Sequence, residues 1–193
     1  MMLVCGIVPA FVLGVLTGGR PGNFATQQLR FEWVLLVLLV AVSFAPAIDI
    51  PFSESILVTV VWIIPVLACI VVASLNFRKP GLGLVVIGLL LNLIVVAANV
   101  GMPVLIANIG FIVETTSAAD AIANSWLHIP TDPNTRMIVL ADVVPAPGPT
   151  GFRSMLSIGD LLIMIGVGRF VFLGMHEPDT SNAEQAQSPD LDV

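Results

Sequence analysis

Apolar residues along this chain gather in long blocks instead of alternating or recurring on a single helical stripe. Five such blocks, at 2–17, 31–45, 54–75, 82–100 and 157–172, are separated by stretches carrying Gly, Pro, Asn and charge. Runs of this length with no amphipathic period read as helices surrounded by hydrocarbon, where only internally hydrogen-bonded backbone is tolerated. The pattern predicts an all-α fold: a transmembrane helical bundle of five spans with a long, partly helical outer connection, 101–155, between spans four and five. The second block is short for a span.

Punctuation inside the blocks adds detail. Ala10, Gly14 and Gly18 recur every four residues, a small-residue face on which a second helix can pack closely. Pro65, in the middle of the third block, lacks a backbone donor and predicts a kink. Ser157 followed by Asp160 has the spacing of a capping box, with the carboxylate complementing the positive helix end. Within the connection, Ser117 to Trp126 reads as a short helix. Met137 to Val144 is an apolar run, broken by Asp142, that is too short to span; it reads as re-entrant, interfacial or extended.

Composition sharpens this reading. At 57% hydrophobic and 10% charged residues, with a mean hydropathy of +1.02, the chain lies far from soluble globular proteins, where about a quarter of residues are charged. Only 7 Lys and Arg are present, too few for a nucleic-acid surface. Arg20, Arg30, Arg78, Lys79 and Arg169 fall on one side of a five-span arrangement, which the positive-inside rule makes the cytoplasm; Arg136 and Arg153 oppose it. The expected location is a plasma membrane, multi-pass, with the N-terminus outside. Residues 1–173 form the membrane domain, and 174–193, which carry much of the net charge of -6, form a disordered acidic cytoplasmic tail. The N-terminal block lacks the basic flank of a signal peptide and is kept as the first span. Cys5 and Cys69 fall in different spans and read as unpaired packing residues.

Candidate chemistry is sparse. Asn92 is a strongly polar side chain near mid-span, and Asn99 follows two helical turns later. With His128, Asp142 and Asp160 these form one candidate polar cluster at the outer side. Such a cluster serves either as interhelical hydrogen bonding that fixes packing or as the lining of a polar cavity. One histidine and two carboxylates are a poor metal signal, so no metal is expected. The chain has no phosphate loop, no H-E-x-x-H, no C-x-x-C and no G-x-S-x-G, so no cofactor is expected and the catalytic residues are unknown.

Three segments carry a resemblance. N-L-I-V-V-A-A-N-V-G-M-P-V at Asn92 to Val104, L-A-D-V-V-P-A-P at Leu140 to Pro147 and S-I-G-D-L-L at Ser157 to Leu162 together resemble a domain-of-unknown-function family of small bacterial multi-spanning membrane proteins. The resemblance implies an inner-membrane protein with no established activity, and it carries over Asn92, Asn99, Gly101, Met102, Pro103, His128, Asp142, Pro145, Pro147, Ser157, Gly159 and Asp160. The leading expectation is an integral membrane accessory or scaffold protein. Its partners are the lipid bilayer and either a second copy or a membrane complex. The alternative is a small-molecule or lipid-handling protein, transporter-like or enzymatic, with an outward-facing polar cavity.

Overall fold

The computed structural model describes residues 2–34, 37–38, 40, 58–105, 122, 125–146 and 154–177. Helix α1 covers Met2–Leu16, and a short α2 covers Pro21–Ala25. A π-helical turn at Val58–Ile63 runs into α3, Ile64–Leu75, and α4 covers Leu82–Asn99. Pro65 is the second residue of α3, so its missing N–H falls where the wide turn becomes an α-helix. Strand β1, Met102–Val104, pairs in parallel with β2, His128–Pro130. A 3-10 turn at Ile138–Leu140 precedes β3, Val144–Ala146, which pairs antiparallel with β4, Ser154–Leu156, and α5 follows at Ile158–Gly174.

The expectation of a five-span bundle is overturned. Among the described residues one helix, Leu82–Asn99, is long and apolar enough to cross a membrane. Its 18 residues extend about 27 Å at 1.5 Å per residue, close to the roughly 30 Å of a hydrocarbon core. The other apolar blocks form shorter helices. The first stops after 15 residues, where Gly18 turns the chain at φ +89. The described part of the third is split into a π turn and a 12-residue helix. The last is a 17-residue helix that includes Asp160 and Arg169. Oily composition was read as membrane thickness, but hydropathy alone does not set helix length. The multi-pass inner-membrane location, with its inside and outside termini, is corrected by the same finding. Most of the second block, the 117–126 helix apart from Ile122, Ser125 and Trp126, and the acidic tail beyond 177 lie outside the described residues.

Helix α5 is the centre of packing, with α4 on one side and α1 on another. Close approach is set by missing side chains. Gly88 meets the backbone of Gly159, and Gly81 meets that of Gly166, so α4 and α5 run antiparallel with glycines seven residues apart on each. A Cβ on Gly166 would sit 2.7 Å from the Gly81 carbonyl oxygen. On the other side Gly6 lies against Met164, where an added Cβ would be 2.7 Å from the carbonyl oxygen, and Gly14 meets Met175, so α1 runs parallel to α5. Such backbone-to-backbone contact gains dispersion without ordering long side chains. Val66, Cys69, Val72 and Ala73 of α3 are buried, as are Leu82, Val85 and Leu89 of α4, extending the core across the α3–α4 pair. Both cysteines are free.

Two glycines of this region give opposite expectations. Gly159→Ala would drive a methyl into the Gly88 carbonyl and the Asn92 amide, and overpacking of this kind costs about 1–3 kcal/mol. A Cβ added at Gly83 would meet nothing within 4 Å, so Gly83→Ala should be neutral or stabilising by up to about 1 kcal/mol through helix propensity. Thermal unfolding in mild detergent should lower the midpoint for the first and not the second; equal responses would contradict the close-packed α4–α5 contact.

Candidate functional site

The strands at one end of the helices decide which polar residues meet. After α4 ends, Val100 takes the left-handed conformation at φ 56, and Gly101 leads into β1. The backbone of β1 is flanked on both sides. Met102 N–H donates to the Leu127 carbonyl at 2.7 Å, and Asp142 N–H donates to the Pro103 carbonyl at 2.9 Å. Leu105 N–H then donates to the Asp142 carbonyl at 3.0 Å, completing a parallel bridge between Val104 and Asp142. From Asp142 the chain passes through β3 and β4 to Ser157, the N-cap of α5.

At that cap, Ser157 Oγ accepts from the Asp160 N–H at 2.9 Å, and Asp160 Oδ2 accepts from the Ser157 N–H at 3.1 Å, a reciprocal capping box. Asn92 of α4 closes the arrangement across the helix interface. Its Nδ2 donates to Asp160 Oδ1 at 2.7 Å, and its Oδ1 accepts from Ser157 Oγ at 2.8 Å. Gly159 leaves the space in which the Asn92 amide fits. Ser157 is fully buried and Asn92 nearly so, and each oxygen of the cluster has a partner.

Asp142 stands beside this ring without joining it. It is 6% exposed, and its Oδ1 has no hydrogen-bond partner. Burial, reinforced by the negative charge of Asp160, pushes its carboxyl well above the ordinary value of 3.8. A neutral acid is the cheaper form for a carboxyl so placed.

The other two expected members lie apart. Asn99 Oδ1 accepts from the Arg136 N–H at 2.9 Å, while its Nδ2 donates to the Arg136 carbonyl at 3.0 Å and to the Val95 carbonyl at 2.9 Å. Its amide is therefore spent on tying the loop to the end of α4. His128 Nδ1 pairs with Ser125 Oγ at 2.8 Å, and burial lowers its pKa from the ordinary 6.5. Of the small residues at 10, 14 and 18, Gly14 faces Met175 and Ala10 lies beside Gly168, whereas Gly18 lies past the end of α1 and a Cβ added there would meet nothing within 4 Å.

Sequence reasoning did not single out Asn76, which follows α3. Asn76 Oδ1 accepts from the Arg30 N–H at 2.7 Å, and its Nδ2 donates to the carbonyls of Arg30 at 2.9 Å and Val72 at 2.8 Å. This is the Asn99 arrangement repeated at the end of α3. An asparagine at the C-terminus of both α3 and α4 was the available signal.

A profile described as a family of unknown function, DUF5317, matches residues 25–172. The chain belongs to the DUF5317 family. The DUF5317 segment contains the Asn92, Ser157 and Asp160 ring, Asp142 and both asparagine clamps, while α1 precedes it. Membership brings no activity with it, and neither the three motifs nor a multi-spanning topology rests on the match. No curated protein and no solved structure matches the chain.

Two predictions follow from the geometry. Asn92→Leu strands the Ser157 hydroxyl and one Asp160 oxygen in a buried interface and should cost about 1–3 kcal/mol in unfolding free energy; an unperturbed melt would contradict the ring. For Asp142, a folded value above the unfolded one means that the native state holds a proton which the unfolded chain releases. Its contribution is complete below the unfolded value near 3.8 and is lost as pH rises through the raised folded value. Asp142→Asn should therefore flatten the pH dependence of melting over that window and raise the midpoint at its alkaline end, and an unchanged slope would contradict a buried neutral acid.

Proposed function

We propose that this chain is a membrane-associated accessory or scaffold protein, anchored through α4 and packing its apolar helix faces against a second copy or a membrane complex. The observation that carries this reading is how the polar groups of the cluster are used. Asn92, Ser157 and Asp160 satisfy one another in joining α4 to α5, and the amides of Asn76 and Asn99 are spent on backbone, which suits fastening more than turnover.

Large apolar side chains on the outside support the same reading. Val12, Leu13 and Leu16 of α1, and Leu67 and Val71 of α3, are exposed, with Leu16 at 77%. Contiguous apolar surface of this kind marks contact with lipid or protein. The reading of an outward polar cavity has less behind it. The cavities around 24–34 and the α3–α4 turn are not lined by Asn92, Asn99, Asp142 or Asp160.

Membrane fractionation, followed by crosslinking of the full chain in mild detergent, tests the proposal. The chain should be recovered with membranes and form a crosslinked dimer or a constant copurifying complex, weakened by Leu13→Asp with Leu16→Asp. Recovery in the soluble fraction, or a strictly monomeric species with nothing copurifying, would contradict it.

A further inference from the structure

Away from the Asn92 ring, the packed helices leave a cavity of about 440 Å³. Among the described residues its walls are apolar side chains of α3, α4 and α5, including Leu82, Val85 and Val167, with Phe24, Leu29 and Trp33 covering one side. Its polar lining is Gln27 and the exposed Glu32. The volume falls within the roughly 300–1,000 Å³ of small-molecule sites, and the walls suit a hydrocarbon.

Cations stand at its mouth. Lys79 Nζ donates to Gln27 Oε1 at 2.7 Å, which places the ammonium on a residue of the cavity wall. Gln27 Nε2 also holds Glu177, at 2.6 Å, so that carboxylate is already engaged. A second groove, of about 710 Å³, is lined by Lys79 together with Arg30, Arg78 and Glu177. Asn76 holds the Arg30 backbone there. The turn bearing Arg78 and Lys79 leads directly into α4, so a membrane-crossing α4 would set these cations at the depth of lipid phosphates.

We propose that this cavity holds one acyl chain of a phospholipid, with the phosphate against Lys79, Arg78 and Arg30. An apolar chamber opening beside a basic groove at the end of a membrane helix matches an amphiphile of that shape and charge. The site rests on the membrane placement of α4 proposed above, and it gives the accessory reading a specific lipid contact.

The test is native mass spectrometry of the full chain, in mild detergent with equimolar phosphatidylglycerol and phosphatidylethanolamine. One phospholipid should be retained per chain, with phosphatidylglycerol in excess. Arg30→Gln with Arg78→Gln, both surface changes, should cut that excess about fivefold per lost charge. Val167→Phe, which narrows the cavity, should weaken retention of both lipids while leaving the circular dichroism spectrum unchanged. No retained lipid, retention unaffected by either set of variants, or displacement by inorganic phosphate alone would overturn the site. Flotation of the same protein with vesicles of the two lipids separates the failures. A chain that floats but retains no lipid sinks the site alone, and one that does not float sinks the membrane reading with it.

Discussion

A polar group enclosed by apolar helices must find its partner within the protein, and that requirement organises this structure around Asn92. In a medium without water an unpaired amide costs several kcal/mol, so Asn92 cannot face α5 without a matching donor and acceptor. Ser157 and Asp160 supply both, at 2.8 and 2.7 Å, from the one turn of α5 where a cap is needed anyway. Gly159 sits between them and makes the approach sterically feasible. Hydrogen bonding and glycine packing are therefore one device. The ring sets the register of α4 on α5, and the paired glycines at 81 and 166 and at 88 and 159 let the two backbones close on each other.

The same economy extends outward. Asn76 and Asn99 terminate α3 and α4 by turning their amides onto the carbonyl four residues back and onto both backbone groups of a distant arginine. The Asn76 clamp satisfies a carbonyl in the last turn of α3, and both clamps attach a loop to a helix end. Asp142 is placed by backbone pairing with β1 and not by its own side chain. That explains how a carboxyl with an unpartnered oxygen persists in the interior: the backbone bridge holds it there, and burial raises its pKa toward the neutral form, which costs less to enclose.

What the sequence made legible was local. Ser157 and Asp160 could be read as a cap because the signal is confined to one turn, and Asn92 could be singled out because a lone amide in an oily run stands out. The partnership between them was not legible, since 65 residues separate Asn92 from Ser157 and the glycines that join the helices look like any other small residues. Grouping Asn99 and His128 with the ring was misleading for the same reason. Residues at one end of a bundle share a depth without sharing partners. The largest error concerned length. Blocks of oily residues were taken as spans, yet the first ends before Gly18 as a 15-residue helix and a π turn interrupts the third before Pro65, leaving α4 as the one of sufficient length among the described residues. Hydropathy reports the solvent a segment prefers, whereas helix length depends on where the backbone stops repeating.

A double-mutant cycle between Asn92→Ala and Asp160→Ala, read by equilibrium unfolding of the full chain in mild detergent, bears most directly on the fastening of α4 to α5. If the amide and the carboxylate act as one connection, the double variant should lose less than the two single losses added together, with a coupling of about 0.5–3 kcal/mol. Strict additivity would mean that the two residues stabilise the protein independently, and the ring would then not be what joins the helices.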